Sequence, residues 1–425
     1  MIDTEQQLAR LKQRIAVIDS KYAARNLAPA PAAAPPREHK WARSFIEEWS
    51  EGQVVANEFG EHFQTERLFP AHRLHGSADI GALSDLPHDL LDALGGGEIP
   101  AMSPERWAFL DTETTGLAGG SGTYAFLIGV GRITDSGFRV RQFFMREYAE
   151  ERSVLAALEE HLNEFDLLVT YNGKSYDQPL LETRYRMVRH KPPFARMGHL
   201  DLLHGARRLW KLRLESCRLM QLEEQILGFH REGDLPGELI PYVYFEYLRS
   251  REAHRVVPIL HHNAIDILTL ACLSAIVPAA FRSTDPDSLA RLGVRRGEDL
   301  AGIARWLLAA DEHERGLAML KRAVDAGLPE RLLFRALWDI ALLEKKLGRT
   351  NAAIELFTEL AGCRNEFRTG ALEELAKYYE HEERNYMLAL EFTRQALGYQ
   401  VSTALRHREN RLERRLAKPR PRRLI

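Results

Sequence analysis

The chain has 425 residues, 45% of them apolar and 28% charged, with a formal net charge of -2. That length leaves room for two or three domains, and the near-neutral balance excludes bulk attraction to nucleic acid, so any such binding must come from local patches. Cys217, Cys272 and Cys363 are too widely separated for metal-site spacing, and with no signal-peptide pattern at the start they lead us to expect a cytoplasmic protein.

Leu8, Leu11, Ile15 and Ile18 fall on one face of a helical period among charges. Residues 28–36, with four prolines, read as a linker, so residues 1–40 form an amphipathic segment plus linker. Short strands are expected at residues 53–59 and 66–69, on either side of Gly60, and Gly95-Gly96-Gly97 is a flexible stop. Next comes Trp107-Ala108-Phe109-Leu110-Asp111-Thr112-Glu113-Thr114-Thr115-Gly116, an apolar run leading into Asp-x-Glu and a small-residue turn. Such a run reads as a buried strand, on which side chains two apart share a face. Asp111 and Glu113 then stand side by side at the strand's exit. Carboxylates that close repel unless a proton or a cation relieves them, and hard divalent ions take such oxygen ligands. The glycine-rich stretch 117–123 could cradle a phosphate on backbone N–H groups, but it lacks the Gly-Lys-Ser/Thr ending of a nucleotide-triphosphate loop.

Residues 124–133 and 138–145 read as a hairpin turning at Asp135-Ser136-Gly137. A helix follows at 151–165, a short strand at 167–171, a helix at 176–188 and the end of another strand at 199–202. This order predicts an α/β fold, a mixed sheet flanked by helices, whose reactive crevice lies at strand ends. Asp177 falls in the first turn of a helix, where the helix dipole favours an acid. The preceding turn offers Asn172, Lys174 and Ser175 to a substrate backbone. Asp201 is expected to begin a helix in preference to serving as a fifth active-site acid, and Arg207, Arg208, Lys211 and Arg213 beyond it form a basic face, either solvated or holding phosphates. Residues 268–281 are the most apolar long stretch, only 14 residues and interrupted by Pro278, too short to cross a membrane. Asp266 sits in an apolar helical stretch where a lone charge is costly. His262, four residues earlier, shares its helical face, whereas His261 does so only if the helix starts after it, with Asn263 as N-cap.

Taken together, Asp111-Thr112-Glu113-Thr114-Thr115-Gly116, Tyr171-Asn172-Gly173 up to Asp177, and His262-Asn263 with Asp266 resemble the DEDD 3′→5′ exonuclease superfamily of the RNase H-like fold. Within it, the likeness is to YprB-type RNase H-like proteins of bacteria. It covers roughly residues 50–280 and includes Asp234-Leu235-Pro236-Gly237. The resemblance implies that Asp111, Glu113, Asp177 and Asp266 bind two Mg²⁺ or Mn²⁺ ions about 3.5–4 Å apart. It implies that Thr114 and the 172–175 turn touch substrate, and that a histidine acts as general base. Part of the superfamily has a histidine five residues before the last Asp, which selects His261. Another part has a tyrosine four before it, which selects His262. His262 is preferred because it shares the Asp266 face. The implied substrate is a single-stranded end of RNA or DNA.

Beyond residue 285 small-apolar pairs recur at Gly316-Leu317, Ala353-Ile354 and Ala389-Leu390, each followed seven residues on by Ala323, Leu360 and Ala396. The spacing is close to the tetratricopeptide period and predicts an all-α helical domain at 286–400, either tetratricopeptide-like repeats with a surface for a protein partner or a compact helical cap on the preceding domain. Residues 401–425 read as a basic tail, solvated or bound to nucleic acid. The division expected is therefore 1–40, an RNase H-like domain at 41–285, repeats at 286–400 and the tail.

Overall fold

A computed structural model describes residues 45–116, 122–283 and 285–417. The N-terminal segment and linker, most of the glycine-rich stretch and the last eight residues lie outside the described residues.

A seven-stranded mixed sheet organises the first half of the protein. Strands β1 (Gln53–Asn57) and β2 (Gly60–Pro70) form its first hairpin. A two-residue-stranded ladder, β3 (Leu74–His75) with β4 (Ala78–Asp79), stands apart from it. Strands β5 (Trp107–Thr114), β6 (Ala125–Thr134), β7 (Gly137–Phe144), β8 (Leu167–Thr170) and β9 (Gly198–Asp201) complete the sheet, in the order β1-β2-β7-β6-β5-β8-β9. All pairings are antiparallel except β5–β8 and β8–β9. The parallel trio requires crossovers, and helices supply them.

Those helices are, in order, a single turn α1 (Asp92–Gly95), α2 (Glu151–Leu162), α3 (Asp177–Met187), α4 (Leu202–Trp210), a single turn α5 (Leu219–Leu222), α6 (Ile240–Ser250) and α7 (Val257–Arg282). Alternation along β5 divides the core. Trp107 and Phe109 join one apolar cluster with α7 and α4, while Ala108 and Leu110 join a second with α2, α3 and α6. Helix α7 has no polar stripe and is buried over most of its circumference. It lies so close to β6 that a Cβ on Gly129 would meet the Asn263 Oδ1 at 2.2 Å, and one on Gly131 would meet Ile267 at 2.5 Å.

Helix α7 corrects the expectation for residues 268–281. Pro278 lies in its last turns and does not end it, so the helical stretch Ala253–Arg282 is long and apolar enough to cross a membrane by length and composition alone. Its most apolar window is 78% buried inside the protein, so the core already accounts for that apolarity. Strand β2 also runs longer than expected, and Glu66 on it pairs with Arg139 and Arg141 of β7 at 2.8 and 2.6 Å.

The second half is all helical: α8 (Pro286–Arg291), α9 (Gly297–Ala309), α10 (His313–Asp325), α11 (Glu330–Lys346), α12 (Thr350–Gly362), α13 (Arg368–His381), α14 (Tyr386–Tyr399) and α15 (Thr403–Ala417). Each helix from α9 on packs against the next. The recurring pairs at Gly316, Ala353 and Ala389 each fall three residues into α10, α12 and α14, where these three small residues are buried. Residues 403–417 are therefore not a loose tail. Leu405 and Leu412 are buried, and Arg408 and Arg411 bind the buried Glu380 at 2.6 and 2.8 Å. The apolar cluster that begins at Phe69 continues through α7 and α9 as far as Ile340.

Candidate active site

Strand β5 delivers the first two acids. Its register against β6 shifts between Glu113 and Thr114, an irregularity that re-aims side chains where a strand ends. Asp111 and Glu113 share the α7 side of the sheet with Trp107 and Phe109. Asn263 on α7 donates its amide N–H to Asp111 Oδ2 at 2.8 Å, and its own Oδ1 accepts from Gln142 at 2.8 Å. Asn263 is thus a buried bracket inside a helix that begins six residues earlier, not an N-cap.

The third acid, Asp177, opens α3 and accepts a 2.5 Å hydrogen bond from the Thr112 hydroxyl. Asp201 at the end of β9 caps α4, as its place in the sequence suggested. Its carboxylate also accepts the backbone N–H groups of Asn172 and Lys174 at 2.8 and 3.2 Å, which fixes the turn after β8 and holds Asn172 at φ 69°. Asn172, Thr114, Glu113 and Asp177 line one cleft of about 660 Å³. Lys174 and Ser175 stand on the exposed shoulder of the turn and do not line it.

Removal from water, then the charges of Asp266 and Asp177, raises the Asp111 carboxyl well above the usual carboxylate range. Glu113 is raised for the same reasons, with Asp111 its nearest repelling neighbour. Burial also lifts Asp177 to about 6, although the Thr112 hydrogen bond opposes it. The acids therefore feel one another across three chain segments.

The fourth acid sits in a second network. Asp266 Oδ1 accepts from Arg231 at 2.5 Å, and the same guanidinium binds Glu223 at 2.5 Å and Asp234 at 3.1 Å. Glu223 is buried and also accepts from Thr269 at 2.5 Å. His262 Nδ1 lies 2.8 Å from Asp234, and its Nε2 lies 3.6 Å from Asp266. Burial works against protonating this ring, but Asp234 and then Asp266 outweigh it and hold its pKa above the ordinary value. His261 points elsewhere. Its Nδ1 meets Arg67 at 2.8 Å in a separate cleft, and burial followed by the Arg67 charge lowers its pKa. One residue of helix rotation produces this division, since His262 is four positions from Asp266 and His261 five.

The donor set suits a hard divalent cation: carboxylate oxygens that repel one another, short of positive charge except at Arg231. Among the described residues, no three His, Cys, Asp or Glu side chains are already gathered around a single point. Arg231 holds one Asp266 oxygen.

Residues 108–277 match the RNase H superfamily. Over 294 residues, 68% of either chain, the sequence is 34% identical to the uncharacterized protein YprB of Bacillus subtilis strain 168. The chain belongs to the RNase H superfamily. Membership places the acid-lined cleft at the carboxyl ends of the parallel strands in a setting that points to nuclease activity, a nucleic-acid substrate and divalent cations. In this RNase H-like domain, Arg231 and Glu223 escaped the sequence reading, and Thr112 and Asp234 entered it without a role. Arg231 and Asp234 come from a loop between short turns, with neither helical nor strand period to flag them.

Proposed function

We propose that this RNase H superfamily protein is a DEDD-type nuclease that trims single-stranded nucleic acid from its 3′ end. The observation that carries this reading is the burial of Asp111, Glu113 and Asp177 at one cleft, where burial first and then the Asp266 and Asp177 charges from other segments raise Asp111 and Glu113. Such tuned clusters in a cleft mark functional sites. Asp111, Glu113, Asp177 and Asp266 would hold Mg²⁺ or Mn²⁺. When bound, those ions supply positive charge against the phosphate oxygens and make a nearby water more acidic. Asn263 and Thr112 keep Asp111 and Asp177 from swinging out of place. His262 donates its Nδ1–H to Asp234, which leaves the Nε2 lone pair directed at the acid side and able to accept a proton from the attacking water. Thr114 and Asn172 offer hydrogen bonds along the cleft to the substrate strand. The helical half, with its period and buried small-apolar pairs, we read as tetratricopeptide-like and suited to a protein partner.

The second reading is a domain that binds nucleic acid or a partner without cutting. The hydrogen bond from Arg231 to Asp266 favours it, because it already neutralises one acid. The deciding experiment offers 3′- and 5′-labelled RNA and DNA strands to the wild type and to Asp111→Asn with Mg²⁺, Mn²⁺ or EDTA. Shortening from the 3′ end that needs the metal and disappears in the variant supports the nuclease. Binding with no cleavage of any strand supports the second reading.

A further inference from the structure

Beside the acid-lined cleft lies a second cleft of about 760 Å³, between α4 and the helical half of the protein. Arg207 lines both, so its side chain borders the two. The second cleft is lined by Arg208, Lys211 and Arg305 as well, and by no acid. Arg207, Arg208, Lys211 and Arg305 are all exposed, and none forms an ion pair or side-chain hydrogen bond among the described residues. Elsewhere in this protein some exposed arginines, such as Arg106, Arg282 and Arg349, are answered by a carboxylate, and others, such as Arg189, Arg331 and Arg364, find none among the described residues, so what sets these four cations apart is that they share one cleft. Arg213, the next cation along the chain, is drawn away to the buried Asp299 at 3.0 Å. An unanswered basic strip on a chain of net charge -2 calls for an external polyanion.

The rest of the lining says which one. Leu94, Leu212 and the half-buried Trp306 give the cleft an apolar floor between the cations. Alternating cations and apolar surface suit a strand whose phosphates and unpaired bases are both available, whereas a duplex turns its bases inward. The floor is rigid, because α9 packs directly on α4: a Cβ on Gly302 would lie 2.5 Å from the Arg208 carbonyl oxygen. We infer that this second cleft is a binding track for single-stranded nucleic acid, which carries the body of the strand whose end enters the acid site. The inference rests on the nuclease reading for its direction but not for its chemistry. The helical half then serves substrate binding through Arg305 and Trp306, in addition to any partner it carries elsewhere.

The test measures binding of fluorescein-labelled oligothymidylates in EDTA, where no cleavage intervenes. Arg208→Glu/Lys211→Glu/Arg305→Glu is compared with the wild type across a salt series, with strands of about 20 and about 4 nucleotides. A charge-neutral Gln version guards against misfolding of the reversal, and thermal melting checks both. For the long strand, loss of three phosphate contacts should weaken binding about tenfold or more and reduce the log–log salt slope by about 2. Binding of the short strand should change little. An unchanged slope with the long strand, or equal competition by polyglutamate, overturns the track and leaves the nuclease reading standing. A reduced slope in a protein that never cleaves keeps the track and overturns the nuclease.

Discussion

Arg231 holds more negative charge in check than any other side chain near the site. It is itself nearly buried and meets Glu223, Asp234 and Asp266 at once. Removing one member of a buried charge network leaves its partners uncompensated, which typically costs about 3–5 kcal/mol. Arg231→Ala is therefore expected to lower the denaturant midpoint by about that energy, and millimolar Mn²⁺ should restore part of it by replacing the lost charge. Loss of stability with no recovery by the cation would mean that Asp266 does not face a metal site. Asp234 acts on one ring. Its carboxylate raises the pKa of His262, so Asp234→Asn should move the imidazole titration seen by NMR to lower pH. If His262 is the base, the alkaline rise in cleavage rate should move with it. At this scale the Asp-x-Glu pair was legible, because the apolar run marks a strand and on a strand two-residue spacing fixes a shared face. The Arg231 network was not, because a loop reaches its partners through the path of the whole chain.

Elements were legible where one force dominated. The apolar runs of β5, β6 and β7, each bounded by glycine or polar turns, gave strands close to those observed. Strand β2 is partly concealed in the sequence, since its middle is held to β7 by Glu66 and two arginines rather than by apolar faces. The Asn263 reading failed for a related reason. A polar residue before an apolar run looks like a helix start, but here it is an interior residue spent on gripping Asp111. The packing of α7 on β6 leads to an element-level expectation. Gly129→Ala puts a methyl where Asn263 Oδ1 and Ile267 now sit, and overpacking of this kind costs about 1–3 kcal/mol. Helix α7 must back away, carrying Asn263, His262 and Asp266 with it. Cleavage should therefore fall about tenfold or more, well beyond what the modest change in melting temperature explains. Full activity in this variant would show that α7 need not be seated that closely.

Across the whole molecule the crowded acids make stability depend on pH and cation together. Asp111, Glu113 and Asp177 bind protons more tightly folded than unfolded, Asp177 with a pKa of about 6. Protonation thus favours the folded form as pH falls through and below that range, and ionisation works against it as pH rises. A bound cation removes this penalty only where the acids are ionised. The increase in melting temperature caused by Mg²⁺ or Mn²⁺ should therefore be small near pH 5 and grow toward pH 8, as a thermal-shift series would record. A cation effect independent of pH would place the ion away from these carboxyl groups. The helical half showed its period in the sequence because each repeated small residue is buried at the third position past a helix start. Its attachment to the sheet domain was hidden, since contacts such as Gly302 on the α4 backbone leave no local pattern.

That attachment decides where the chain can be cut. The apolar interior does not stop at residue 285 but runs unbroken from the sheet through Phe281, Leu300 and Ile303 to Ile340. A shortened protein ending at 285 would present this greasy facet to water and should precipitate on expression. One ending just past α11 would keep that facet sealed but bare Leu337, Trp338 and Ala341, which pack under α12 and α13, so the sheet domain is best made with the helical half attached.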